Sequence, residues 1–200
     1  DLIAASGCRQ LLIGLESPAA AELPGVELHA DFKARRAPDY GAAIHAIQSR
    51  GITVNGCFVL GLDSHGPEIF DAVRDFAEQH ALYEVQITVM TAFPGTPLHQ
   101  RLARAGRILE PGRWELCTLF DVNFQPARMT PEELRAGMRR LSVELYSAEA
   151  KRRRRTACFR QLNRKSRAAA RAHAHGRPRA AARARDRSRA AAGAGTSRAA

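Results

Sequence analysis

No two cysteines of this 200-residue chain stand close enough in sequence to form a metal or redox pair. Cys8, Cys57, Cys117 and Cys158 are scattered with no CxxC spacing, so no metal-ligating residues are assigned. No apolar run approaches the ~20 residues that a membrane span needs, and no signal peptide is recognisable. A reduced, cytoplasmic setting is the default expectation. Aromatic residues are scarce at 6%, with one tryptophan, yet 45% hydrophobic content suffices for an ordinary soluble core.

The formal charge of +11 points first toward nucleic acid. Divided along the chain, it says something else. Residues 1–150 carry 14 Lys and Arg against 19 Asp and Glu, a net of −5, whereas residues 151–200 carry 17 against 1, a net of +16. From Lys151 the composition collapses to arginine and alanine with few large apolar residues, which predicts a disordered basic tail over 151–200. Nonspecific nucleic-acid binding through that tail is one reading, and unselected sequence another. The opening residues Asp1 to Gly7 read as the end of a helix closed by glycine, so the chain is expected to be a fragment entered inside a domain.

What is present is organised around Thr53-Val54-Asn55-Gly56-Cys57-Phe58-Val59-Leu60-Gly61-Leu62-Asp63. This short run, rich in β-branched and aromatic residues and stopped by glycine, predicts a strand buried on both faces of a parallel sheet. Gln10 to Leu15 precedes it and Val85 to Thr91 follows it. Helical patterns of crossover length lie between, giving strand-helix-strand-helix-strand. Three carboxyl ends then face one way: Glu16-Ser17, Gly61-Leu62-Asp63, and Thr91 through Phe93-Pro94-Gly95-Thr96. Ligands bind at that edge in α/β sheets and barrels.

Glu16 and Ser17 leave the first strand as a carboxylate and a hydroxyl able to hydrogen-bond a ligand, or else as an ion-pair partner and a cap. Cys57 reads as a small buried hydrophobe and His65 as a loop residue. Residues 19–37 predict a polar loop with a basic cluster. The Phe93-Pro94-Gly95-Thr96 turn can bracket a flat ring or can simply join strand to helix. Trp114 is expected to cap the core, and Leu119 to Phe124 to form a further strand. Thr130-Pro131-Glu132-Glu133 is a strong helix start, with Thr130 as cap and Glu133 completing a capping box.

Taken together, Ile13-Gly14-Leu15-Glu16-Ser17, the Gly56 to Asp63 segment and Thr91 to Leu98 resemble the later half of a radical S-adenosylmethionine enzyme. The class with an upstream cobalamin-binding domain is the nearest likeness, over about residues 1–150. The resemblance implies the C-terminal half of a partial (β/α)6 TIM-like barrel over 1–110, a strand and helix extension over 111–150, and the basic tail over 151–200. It also implies a 4Fe-4S cluster, bound by a CxxxCxxC motif absent from this chain, that reductively cleaves S-adenosylmethionine to a 5′-deoxyadenosyl radical. By the same resemblance, Glu16 and Ser17 approach the ribose or methionine part of the cofactor. Gly56, Phe58 and Gly61 form the strand and turn beside the adenine, and Thr91, Phe93 and Pro94 line its pocket. No catalytic residue is assigned.

Cobalamin-dependent methylation is the activity implied for the parent enzyme, on a small-molecule substrate of lipid-like or tetrapyrrole kind. Without its motif this chain is expected to be inactive alone. Cys57 stands where that class often has glycine, and Asp63 departs from its usual pattern. The rival readings are a non-catalytic truncated barrel remnant and a basic-tailed nucleic-acid binder.

Overall fold

In a computed structural model, residues 1–18, 35–36 and 39–175 are described, with side chains described through Leu162. The polar loop expected over residues 19–37 lies almost wholly outside them. A short helix, α1 (Leu2–Ala5), precedes β1 (Gln10–Glu16), α2 (Tyr40–Gln48), β2 (Thr53–Leu60), α3 (Ile69–Gln79) and β3 (Glu84–Val89). Next come α4 (Pro97–Arg104), a single 3-10 turn (Trp114–Leu116), α5 (Pro131–Tyr146) and α6 (Ala148–His175). The protein is therefore α/β, with three parallel strands in the order β1-β2-β3. Among the described residues no helix is long and apolar enough to cross a membrane.

The central strand departs from the expectation of burial on both faces. Its residues alternate: Val54, Gly56, Phe58 and Leu60 are buried, while Thr53, Asn55, Cys57 and Val59 are half-buried. The buried set packs with Ile44 of α2 and with Ile69, Phe70 and Val73 of α3 in one apolar cluster. The ring of Phe58 meets Phe76 edge-on at 5.8 Å. Strands have a side-chain period of two, so covering one face fixes the register of the whole sheet.

Helix α5 closes over α3 at a glycine. A Cβ on Gly137 would lie 2.1 Å from the Phe70 ring, so the helices meet only because that side chain is absent. The predicted start of α5 is present in full. Glu133 N–H donates to Thr130 Oγ1 at 3.1 Å, Thr130 N–H donates to Glu133 Oε2 at 2.7 Å, and Pro131 occupies the first turn.

Two expectations fail for identifiable reasons. The strand expected over Leu119 to Phe124 is a compact turn followed by a single antiparallel bridge, Ile108 to Phe124. Thr118 Oγ1 accepts from the N–H groups of Phe120 and Asp121 and donates to the Asp121 carboxylate, and Leu119 is driven to φ 68°. A side-chain hydroxyl has captured backbone groups that a ladder would have used.

The other failure concerns the first part of the disordered tail expected over 151–200, whose residues 176–200 lie outside the described residues. Residues 151–175 continue α6, and within it Ala150, Arg154 and Cys158 are buried at helical spacing. Arg155 pairs with Glu84 at 2.9 Å and lies 4.7 Å above the Tyr83 ring, which Phe159 meets at 5.6 Å; Arg153 pairs with Glu78. Composition missed this because the helix contributes one narrow buried stripe, while its charges find acidic partners on α3 and β3. Truncation after Ala150 is therefore expected to lower the thermal midpoint by roughly 5 °C, the scale of losing one packed stripe. Thermal denaturation followed by circular dichroism reads this, and an unchanged midpoint would make the helix an appendage.

Candidate functional site

Parallel register brings the three strand ends to one edge: Glu16 stands beside Phe58, and Leu60 beside Val89. At the first end the chain does something costly. The register shifts between Gly14 and Glu16, Ser17 N–H donates back to Leu15 carbonyl at 2.8 Å, and Glu16 sits between them at φ 64°. That is a γ-turn of positive φ, a conformation costing a non-glycine residue roughly 1–3 kcal/mol. Tyr40 donates its hydroxyl proton to Leu15 carbonyl at 3.2 Å and holds the turn from α2. The half-buried Glu16 thus stands at the carboxyl edge of the sheet under strain supplied by its surroundings.

At the second end, Gly61 has φ 85°, and a Cβ there would lie 2.8 Å from Leu134 and 2.9 Å from Phe124. Asp63 follows, its carboxylate paired with Arg101 and, at 2.8 Å, with Arg107. Partial burial pushes the Asp63 carboxyl up, but hydrogen bonds and charge from those two arginines outweigh it and hold the group below its ordinary value. This triad ties the loop after β2 to α4 and to the segment that follows it. His65 lies in the loop after β2, as expected, and is fully buried there: Leu62 N–H donates to its Nδ1 at 3.4 Å. Burial is the main reason its pKa falls to about 4, with Arg128 adding to the effect and Glu68 opposing it.

At the third end, Thr91 donates its hydroxyl to Val89 carbonyl at 3.0 Å, and Thr96 caps α4 by accepting from His99 N–H at 3.2 Å. Between them Phe93 and Pro94 are exposed. The turn around Leu119 is pinned to this edge, since Val89 N–H donates to Leu119 carbonyl at 2.7 Å.

The structure separates the sequence-predicted site residues into two sets. Glu16, Thr91, Phe93 and Pro94 lie at the strand ends, with Phe93 and Pro94 open to solvent. Phe58, Gly56 and Gly61 are packed inward. Phe58 is fully buried against α3, Gly56 gives its space to Leu82 and Leu15, and Gly61 gives its space to Leu134 and Phe124. Ser17 is also fully buried. Cys57 lies on the less covered sheet face with its thiol 3.8 Å from Gln86 Oε1; burial first, then the nearby Glu16 charge, pushes that thiol up, away from reactivity. Among the described residues no cluster of His, Cys, Asp or Glu could hold a metal ion.

Sequence reasoning missed a cleft beside the third strand end, lined by Met90, Ala92, His99, Trp114, Cys117 and Phe124 among others. Trp114 does not cap the core: it is 52% exposed and its ring stands 5.6 Å from that of His99. The available signal was a lone tryptophan in a segment with no apolar periodicity around it.

A domain family of unknown function, DUF4070, matches residues 96–188. The chain is 25% identical over 150 residues to a bacteriochlorophyllide d C-12(1)-methyltransferase of Chlorobaculum tepidum, covering 75% of this chain and 31% of that one. It is 32% identical over 99 residues to a hopanoid C-2 methylase of Rhodopseudomonas palustris, covering 50% and 18%. An uncharacterized methyltransferase of Synechocystis is 26% identical over 152 residues, covering 76% and 27%. The chain thus spans less than a third of the length of these relatives. At low identity these likenesses bear out the resemblance to the cobalamin-binding class of radical S-adenosylmethionine enzymes.

The buried His65 makes stability at the second strand end pH-dependent. The unfolded chain binds a proton near pH 6.5, whereas the folded protein resists it to about pH 4, so this contribution is complete above 6.5 and is lost as pH falls through that window. The loss is on the order of 3 kcal/mol. Urea titrations of the wild type and His65→Asn between pH 4 and 7.5 read it, and equal slopes of stability against pH in the two proteins would refute it.

Proposed function

We propose that this chain is the C-terminal part of the catalytic barrel of a radical S-adenosylmethionine methylase of the cobalamin-binding class, its strand ends forming part of the cofactor site. The observation that carries this reading is the strained Glu16 turn. Glu16, held at φ 64° by a γ-turn and by Tyr40, brings its carboxylate to the carboxyl edge of the sheet, the edge at which α/β folds bind ligands.

The residues present fit the cofactor in part. Glu16 can accept hydrogen bonds from ribose hydroxyls or from the methionine ammonium group. Phe93 and Pro94 offer an apolar platform for the adenine, and the turn capped by Thr96 holds that platform in place. Gly56, Phe58 and Gly61 act through packing, setting the height of the strand ends. The donor set for a cluster is not among the described residues, so its ligands and the cobalamin domain would come from elsewhere in the parent enzyme. When bound, S-adenosylmethionine and the cluster would supply radical-initiating chemistry, with cobalamin as methyl carrier.

In the full-length parent with its cluster reconstituted, Glu16→Ala is expected to weaken S-adenosylmethionine binding about tenfold to a hundredfold, the loss of a charge-assisted hydrogen bond worth roughly 1.5–3 kcal/mol. Iron content should not change. Glu16→Gly should lose affinity similarly while raising the melting temperature, because glycine accepts a positive φ without penalty. Equal affinity for wild type and both variants, measured by equilibrium titration, would sink the assignment.

A further inference from the structure

The resemblance gives Asp63 no role, yet separate parts of the carboxyl edge are tied together there. Leaving β2 just beyond Gly61, Asp63 receives Arg101 from the last turn of α4 and Arg107 from the segment that follows that helix. These pairs matter because little else seats α4. A helix is ordinarily oriented by a whole apolar stripe, but of the eight residues here only Leu102 is buried, with Leu98 partly so. Arg107 carries the tie further: its Nε donates to Gln125 carbonyl and Gln125 N–H donates to Arg107 carbonyl, both at 2.8 Å. The same residue closes the end of α4, its N–H donating to Leu102 carbonyl at 2.9 Å. The other end of the helix grips Phe93. Thr96 donates to Phe93 carbonyl twice, from its hydroxyl at 2.7 Å and from its N–H at 3.2 Å. A shift of α4 is therefore passed to Phe93 through two hydrogen bonds.

We propose that Asp63 is a positioning residue for the cofactor, acting through Arg101 and Arg107 on α4 and through Thr96 on the Phe93-Pro94 platform. The proposal rests on the cofactor reading above and adds the residue that sets the height and tilt of that platform. The arrangement suits orientation better than stability. Arg101 takes Oδ2 and Arg107 takes Oδ1, so one carboxylate is held from two directions by charge-assisted hydrogen bonds. All three side chains nevertheless keep contact with solvent, and ion pairs of that kind contribute little to global stability. Both carboxylate oxygens are engaged, so Asp63 acts on a ligand through α4 and not by contact. An amide cannot stand in for this group, because it keeps one acceptor oxygen and turns an NH₂ donor toward the second arginine.

Two experiments on Asp63→Asn test this, the first without cofactor or cluster. In the 200-residue chain, hydrogen–deuterium exchange at the amides of α4 should quicken about fivefold while α5 stays as it is, the scale of one lost pairing between partly exposed charges. The thermal midpoint should fall by no more than about 3 °C, which separates a loosened helix from a weakened fold. In the full-length parent with its cluster reconstituted, S-adenosylmethionine binding should weaken about fivefold, whereas binding of methionine, which lacks the adenine, should not change. Arg101→Gln should act in the same way, and the double variant should lose less than the sum, because both changes open one clasp. Arg104→Gln removes an exposed arginine of the same last turn that does not pair with Asp63, and should leave affinity unaltered. Glu16→Ala weakening the cofactor while Asp63→Asn does not would strike the Asp63 role alone and leave the cofactor reading standing. Unchanged exchange in α4, equal losses for methionine and S-adenosylmethionine, or an Arg104→Gln effect as large as that of Arg101→Gln would also overturn the proposal.

Discussion

One apolar interlayer holds the rest of this structure in place: the face of β2 made by Val54, Gly56, Phe58 and Leu60, pressed against α2 and α3. Parallel sheets are ordinarily covered on both sides. Here the described helices bury one face, so register, strand height and the position of every loop at the carboxyl edge depend on that single interlayer. Its closeness comes from side chains that are missing. Gly56 lets Leu82 and Leu15 in, Gly61 lets Leu134 and Phe124 in, and Gly137 lets the Phe70 ring touch the backbone of α5. A methyl group at any of the three would displace packed atoms, and well-packed interiors do not yield cheaply.

That rigidity explains where strain can be kept. Glu16 and Leu119 both hold positive φ, and each is fastened by hydrogen bonds to a strand end or to its own turn. An unfavourable backbone persists only when its surroundings over-determine it. These two lie at the carboxyl edge; a third, Ala81 at φ 48°, is buried in the turn that leads into β3 at the opposite edge.

The elements that were legible in the sequence owe it to local rules that tertiary packing did not contest. β2 was bounded by its glycine, α5 announced its cap through Thr130, Pro131 and Glu133, and α4 followed from Thr96 and Pro97. The partial burial of β2 was not legible, because an apolar run looks alike whether one face is covered or two. Nor was the turn at Leu119, where a threonine hydroxyl outcompeted a strand. Glu16 was found from its place at a strand end, but its φ of 64° has no sequence signal, since nothing about glutamate foretells it. The resemblance assigned Phe58 and Gly61 to the strand and turn beside the adenine; that both are packed against α3, Leu134 and Phe124 could not be read from it. His65 escaped because burial of a lone histidine depends on Leu62 and on elements far along the chain.

The charge distribution shows the same gap between composition and structure. A run of five basic residues from Lys151 to Arg155 invites a nucleic-acid reading. Folded, Arg153 and Arg155 answer Glu78 and Glu84, and Arg154 is buried with its Nε and Nη1 lacking hydrogen-bond partners among the described residues. Burial lowers the Arg154 pKa, as expected when a cation loses its water. A buried guanidinium with unmet donors is a poor way to gain stability, since replacing such a charge by an apolar side chain is often neutral or favourable. The two outer arginines, by contrast, are surface pairs worth little singly but directed at the acidic body of residues 1–150. The opposite signs of the two segments are therefore partly satisfied against each other within the fold. An estimate of polyanion affinity taken from the formal +11 would count cations that this fold already uses.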